Sequence, residues 1–96
     1  MDEAERAHLA ALPEVVTVYR GFSDPGGQRG IAWTLDHERA EWFARRFEVL
    51  GGAFVATVVV PRGRIVAVFD ERGEAEAVIP DLRGYRAEVV ALARAR

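Results

Sequence analysis

Apolar and polar positions along this chain change their period several times, and each change marks a boundary between elements. From Asp2 to Leu12, helix formers carry acidic residues early and apolar residues at Leu9, Ala10 and Leu12, which predicts a short helix ending before Pro13. It is expected to pack as a lid on the core. Val15-Val16-Thr17-Val18-Tyr19 is β-branched and aromatic, a strand by composition, and it delivers Arg20 and Gly21 at its end. Phe22 to Gly30 holds Pro25, Gly26, Gly27 and Gly30 and reads as a loop. After a short extended piece, Ile31 to Thr34, Asp36 can cap a helix running to about Glu48, because its carboxylate can accept from the free amides of the first turn. Ala40, Phe43, Ala44 and Phe47 recur at helical spacing and define the buried stripe, with Arg45 and Arg46 near the negative end of the helix and Gly51-Gly52 stopping it.

The second half is richer in strands. Ala53 to Val60 is nearly all apolar, which predicts a central strand covered on both faces and ended by Pro61. Pro61-Arg62-Gly63 is a turn, Ile65 to Phe69 a further strand or a short helical segment, Asp70 to Gly73 another turn, and Glu74 to Ile79 a strand. Tyr85 to Arg96 combines strong helix formers with the strand-like pair Val89-Val90, and the expectation is a helix. Trp33 and Trp42 are expected to serve packing, with a site role favoured only for Trp33, and His37 is expected to be exposed in the first turn of its helix.

Ninety-six residues, half of them hydrophobic, suit one domain with one core. The net charge of -2 and the scatter of the basic residues give no continuous positive stripe, so nucleic acid is not expected as a partner. Without cysteine there is no disulfide or thiolate zinc site, and His8 and His37 lack ligand-like spacing, so no metal is expected. The first residues are acidic where a secretory signal is basic, and no apolar run approaches the roughly 20 residues that span a bilayer. The expectation is a soluble, cytoplasmic protein without a membrane partner. All thirteen basic residues are arginine, a bias that weakens each one as individual evidence for phosphate or carboxylate recognition.

The pattern that carries chemistry is Glu74-Ala75-Glu76 at the mouth of the run Ala77-Val78-Ile79-Pro80. In an extended strand side chains alternate faces, so the two carboxylates would project to the same side and repel. Such a pair invites a reading as a site. A solvated strand edge that deters aggregation is the plainer reading.

Three pieces stand in order: Tyr19-Arg20-Gly21 at the end of the first strand, Ala32-Trp33-Thr34 before a helix, and Glu74-Ala75-Glu76 late in the chain. That order resembles the arginine-serine-glutamate class of ADP-ribosyltransferases, in which an aromatic-Arg-Gly motif opens the fold, a Ser-Thr-Ser motif precedes a helix, and a Glu-x-Glu motif leads into an apolar strand closed by proline. The resemblance covers Val15 to Pro80. It implies an α+β domain over residues 1–96 with a small, mainly antiparallel split sheet flanked by one or two helices. It also implies NAD as co-substrate and transfer of ADP-ribose to a protein acceptor, with arginine as one candidate target, or hydrolysis to free nicotinamide. By the same resemblance Glu76 is the catalytic carboxylate facing an oxocarbenium-like ribose, Glu74 the acceptor-side partner, Arg20 the clamp on the cofactor, and Tyr19, Gly21, Trp33 and Thr34 the remaining cofactor contacts.

The chain departs from the pattern at Ala32, where the family has serine, a loss of about 1 kcal/mol if one hydrogen bond disappears. Two other readings stand beside the enzyme. One is a nucleotide- or protein-binding module of the same fold with catalysis lost, for which the resemblance implies a phage or bacterial conflict-system effector as the setting. The other is an interaction protein, monomer or homodimer, whose apolar segments make an interface.

Overall fold

The computed structural model describes residues 1–23, 30–46 and 51–93. The glycine-rich loop around Pro25, Gly26 and Gly27, the helix end at Phe47 and Glu48, and the final arginines lie outside the described residues. Two helices and six strands follow one another as α1 (Glu3–Ala11), β1 (Val15–Phe22), β2 (Ala32–Thr34), α2 (His37–Arg46), β3 (Phe54–Pro61), β4 (Ala67–Phe69), β5 (Glu76–Val78) and β6 (Glu88–Ala91), with single 3-10 turns at Arg62–Arg64 and Glu71–Gly73. The strands form one antiparallel sheet in the order β4-β5-β2-β1-β3-β6, and the fold class is α+β. No described helix is long and apolar enough to cross a membrane.

Strand alternation accounts for the core. The register pairs Val16 with Val60 and Val18 with Val58, and Trp33 with Ala77, which in turn faces Val68. These side chains fall on one face and, with Ala56, Ile65 and Ile79, are buried as the main cluster. Leu9 and Leu12 at the end of α1 and Leu82, Tyr85 and Ala87 after β5 pack against it. The opposite face of β1 and β3 carries Tyr19 and Val55, and α2 packs there through Ala40 and Ala44. Asp36 caps α2 as its sequence position predicts, its carboxylate accepting from the amide of Glu38 at 2.9 Å.

The sheet consists of two three-stranded halves. β1 matches β3 over all eight residues from Val15 to Phe22, whereas β1 and β2 meet only at Tyr19 and Thr34. Beyond that point the two strands part. Each half also has a differently treated outer edge. Along β4 the amides of Val68 and Asp70 donate to Met1 Sδ at 3.1 Å and to Glu5 Oε2 at 2.7 Å, so the N-terminal segment covers that edge. β6 at the other end is exposed throughout.

β6 corrects the expectation of a C-terminal helix. Glu88 to Ala91 pairs with Thr57 to Phe54, and the amide of Leu92 donates to the Ala53 carbonyl at 2.8 Å. The outer backbone groups of the largely buried β3 need partners, and the β-branched pair Val89-Val90 supplies a strand that meets the need. The turn feeding β6 is held by Asp81, whose carboxylate accepts from the side chain and amide of Arg83 and lies 3.2 Å from Arg64; Arg83 first, then Arg64, hold it down to about 2. Trp42 corrects a second expectation: it is 52% exposed, with the guanidinium carbons of Arg39 and Arg46 at 5.5 and 5.6 Å from its ring centre.

Gly21 sets the closeness of α2. A Cβ built there would fall on the Ala40 carbonyl oxygen and 2.7 Å from the Ala44 nitrogen, so helix and strand meet backbone to backbone. Gly21→Ala is expected to cost about 2–3 kcal/mol, as other overpacked interiors do. Urea unfolding checks this, and a variant within about 0.5 kcal/mol of wild type would refute the close packing.

Candidate functional site

Where β1 and β2 part, the gap opens into a cleft of about 280 Å³ lined by Tyr19, Arg20, Gly21, Ala32, Trp33, Thr34, Phe43, Glu74 and Glu76. Each of the residues singled out from sequence is on this wall. They come from three strands and one turn, and the topology explains the meeting. Glu76 begins β5 directly opposite Thr34 of β2, and Thr34 is opposite Tyr19 of β1. These three therefore share the face over which α2 lies, and Phe43 of that helix closes the cleft from above.

Arg20 follows Tyr19 on the strand, at the first position where β1 no longer pairs with β2. Its Nη1 donates to the Ala32 carbonyl oxygen at 2.7 Å, so the guanidinium bridges the opening that the missing ladder would have filled. Gly30 packs against this guanidinium so closely that a Cβ there would collide with it. Burial of the half-buried guanidinium lowers its pKa from the ordinary arginine value.

The acidic pair reaches the cleft by a different route from strand alternation. The strand begins at Glu76, not Glu74; Glu74 ends the 3-10 turn with helical angles, and Ala75 has a positive φ of 45°. The expectation that both carboxylates sit on one strand face is therefore corrected: a left-handed alanine between them turns the chain, and both still line the cleft. That conformation is strained for a residue with a Cβ. It is held from β2 by two hydrogen bonds, Thr34 Oγ1 to the Glu74 carbonyl at 2.7 Å and the Leu35 amide to the Ala75 carbonyl at 3.0 Å.

Thr34 and Trp33 consequently belong to the frame. The Thr34 hydroxyl donates to Glu74, accepts from the Asp36 amide at 3.1 Å, and is on a residue only 5% exposed. Trp33 is 2% exposed, a member of the main core, with its indole N–H given to the Gly30 carbonyl at 2.9 Å. Its contribution to the cleft is an apolar wall. Tyr19 packs edge-on against His37, ring centres 4.9 Å apart, and His37 Nδ1 is 3.0 Å from Glu41.

Sequence reasoning assigned Phe43 to the helix's buried stripe alone and missed Glu71. Phe43 is on the cleft because α2 starts three residues after Thr34 and Gly21 lets it approach the end of β1. Glu71 lines a second concavity of about 440 Å³ with Phe69, Glu74 and Glu76, so the acidic pair forms the ridge between two hollows. Its signal was the closeness of Glu71, Glu74 and Glu76 along one turn. Among the described residues no cluster of His, Asp and Glu has the arrangement of a metal site. No family model matches this chain, no curated protein matches its sequence, and no solved structure matches its fold.

Thr34→Val keeps the shape and removes both hydroxyl hydrogen bonds, leaving the Glu74 carbonyl and the Asp36 amide without that partner; a loss of about 1–3 kcal/mol is expected on denaturation. At Ala75 the order Gly, Ala, Val is expected for stability: glycine gains about 0.5 kcal/mol by relieving the positive φ, and β-branched valine loses about 2 kcal/mol. Equal stabilities of the glycine and valine variants would show that no left-handed turn exists there.

Proposed function

We propose that the cleft binds NAD and that the protein breaks the bond between nicotinamide and ribose, passing ADP-ribose to an acceptor. The supporting observation is that one small, aromatic-walled cleft is lined by a basic residue, Arg20, together with two acidic ones, Glu74 and Glu76. Such a lining suits a ligand that carries a cation and an anion of its own, as NAD does in its pyridinium ring and pyrophosphate. A volume of about 280 Å³ lies near the small end of ligand sites and suits the nicotinamide riboside half of the molecule.

In this reading the carbon–nitrogen bond breaks with its electron pair going to nicotinamide, which leaves neutral, and positive charge develops on the ribose ring. Glu76 faces that charge and accepts from a ribose hydroxyl, stabilising the transition state more than the ground state. Glu74, on the ridge toward the second hollow, takes the proton from the acceptor as its nucleophile bonds to the ribose carbon. Glu71 adds a third carboxylate on that side, which favours a cationic acceptor such as an arginine side chain of a protein. Arg20 braces the opening through Ala32 and offers its charge to the phosphates. Dependence on NAD makes the cytoplasm the natural setting.

A second reading is favoured by one observation. Ala32 has no hydroxyl and that of Thr34 is held by the frame, so no hydroxyl from this motif is offered to a ribose. The same site could then hold the nucleotide without cleaving it.

The two readings separate in one assay. Wild type incubated with NAD labelled in the nicotinamide ring is expected to release it, and Glu76→Gln to slow release by about 10²-fold, the scale for loss of one electrostatic stabiliser. Glu74→Gln is expected to retain hydrolysis but reduce transfer to added protein. NAD raising the melting temperature of wild type without any release would support binding alone. Release unchanged in Glu76→Gln would refute the assignment.

A further inference from the structure

The turn that presents the acidic pair is gripped at both ends, and the second grip comes from the other end of the chain. On the cleft side Thr34 and Leu35 hold Glu74 and Ala75. On the far side the amide of Asp70, the residue that opens the 3-10 turn, donates to Glu5 Oε2 at 2.7 Å. Glu5 is only 8% exposed, although it is a carboxylate on a helix with no buried apolar neighbour of its own. Its other oxygen accepts from the Asp2 amide at 2.9 Å, closing a capping box with Asp2, whose side chain accepts from the Glu5 amide at 2.8 Å. A buried carboxylate needs such partners, and one oxygen on each fixes both helix and turn. His8, one helical turn on, adds a contact of 3.0 Å to the Asp70 carboxylate.

We propose that Glu5 is a positioning residue for Glu74 and Glu76, which makes the N-terminal helix part of the site; this rests on the reading of the cleft given above. From Asp70 the constraint passes along a short, continuous path. The amide of Gly73 donates to the Asp70 carbonyl at 3.1 Å and that of Glu74 to the Glu71 carbonyl at 3.1 Å, so the turn is a closed unit whose start is set by Glu5 and whose end carries Glu74. Ala75 then takes its positive φ, and Glu76 enters β5. A strained conformation persists only where its surroundings over-determine it. With Glu5 removed, the turn keeps its grip on β2 but is tied to α1 only through the exposed contact of His8 with the Asp70 carboxylate, so the carboxylates remain near the cleft with a wider spread of positions. Misplacement of this kind lowers the rate of a bound complex more than it weakens binding.

The test uses the full chain and three variants. Glu5→Ala removes both acceptors, Glu5→Gln keeps one oxygen, and Asp2→Ala weakens the same helix cap without touching Asp70. Nicotinamide release from NAD is expected to show kcat lowered at least about tenfold in Glu5→Ala with KM within about twofold, an intermediate value in Glu5→Gln, and near wild-type kcat in Asp2→Ala. Amide exchange read by NMR is expected to quicken at Asp70 and Glu74 in Glu5→Ala while Val18 and Val58 in the core keep their protection. If Glu5→Ala does not fold, Glu5→Gln carries the same comparison. Equal kcat in the Glu5 and Asp2 variants, or unaltered exchange at Asp70 and Glu74, would overturn the proposal. Were wild type to release no nicotinamide, the NAD reading would fall and exchange at Glu74 alone would decide: faster exchange upholds the clamp, unchanged exchange removes it.

Discussion

Everything at the cleft depends on the parting of β1 from β2 after a single matched pair, Tyr19 and Thr34. A continuous ladder would leave no opening; a complete break would expose the carbonyl of Ala32 and divide the core. The guanidinium of Arg20 resolves the conflict by donating to that carbonyl across the gap. The substitution of a side-chain donor for a backbone one keeps the two halves of the sheet in fixed relation while leaving space between them. It also puts a positive charge where two backbones separate, and a charge at such a place is close to any ligand that enters. Gly30 and Gly21 follow from the same constraint, one making room for the guanidinium and the other bringing α2 down over the opening.

The acidic side has the complementary problem. Carboxylates close together repel, and a plain strand would hold them at a fixed spacing on one face. Here the left-handed Ala75 sets Glu74 and Glu76 on a ridge instead, each able to address both hollows. The strain this entails is balanced by hydrogen bonds between residues distant in sequence: Thr34 donates to the Glu74 carbonyl, 40 residues on, Leu35 donates to that of Ala75, and the Glu5 carboxylate accepts from the Asp70 amide. The ridge is thus a tertiary product. Its shape depends on the core being assembled, since Thr34 and Leu35 are fixed only when β2 is in place.

That distinction explains what was legible in the chain. β1, β3 and α2 have periods that local pattern reports well, because Val16, Val18, Val58 and Val60 are buried for the same reason that they favour strands. β6 was not legible: four residues of strand lie among alanines and arginines that favour a helix, and only the open side of β3 decides between them. Trp42 failed for a related reason, since a large aromatic is expected inside and here two arginines one helical turn away on either side cover it on the surface. At the cleft, the motif order brought Arg20, Glu74 and Glu76 to attention, but the reasoning from an extended strand missed the turn at Ala75. Roles were the least legible. Thr34 and Trp33, which the family resemblance reads as cofactor contacts, also serve as joints of the frame in space, and a hydroxyl or indole N–H cannot announce in a sequence which carbonyl it will meet.

The arginine bias sharpens this point. With every basic residue an arginine, residue type alone could not separate Arg20 from the other twelve. Among the described residues, what separates it is position: it directly follows the last residue of β1 that pairs with β2, its pKa is lowered by burial, and it sits against a glycine that leaves it room. Lysine there could carry the charge but not the planar, multi-donor fork of a guanidinium. An arginine used in this way stabilises the split and charges the cleft at once, so selection for either property would retain it. The structural and the ligand-binding readings of Arg20 are therefore two consequences of one placement, and separating them requires a charge change that spares the brace to Ala32.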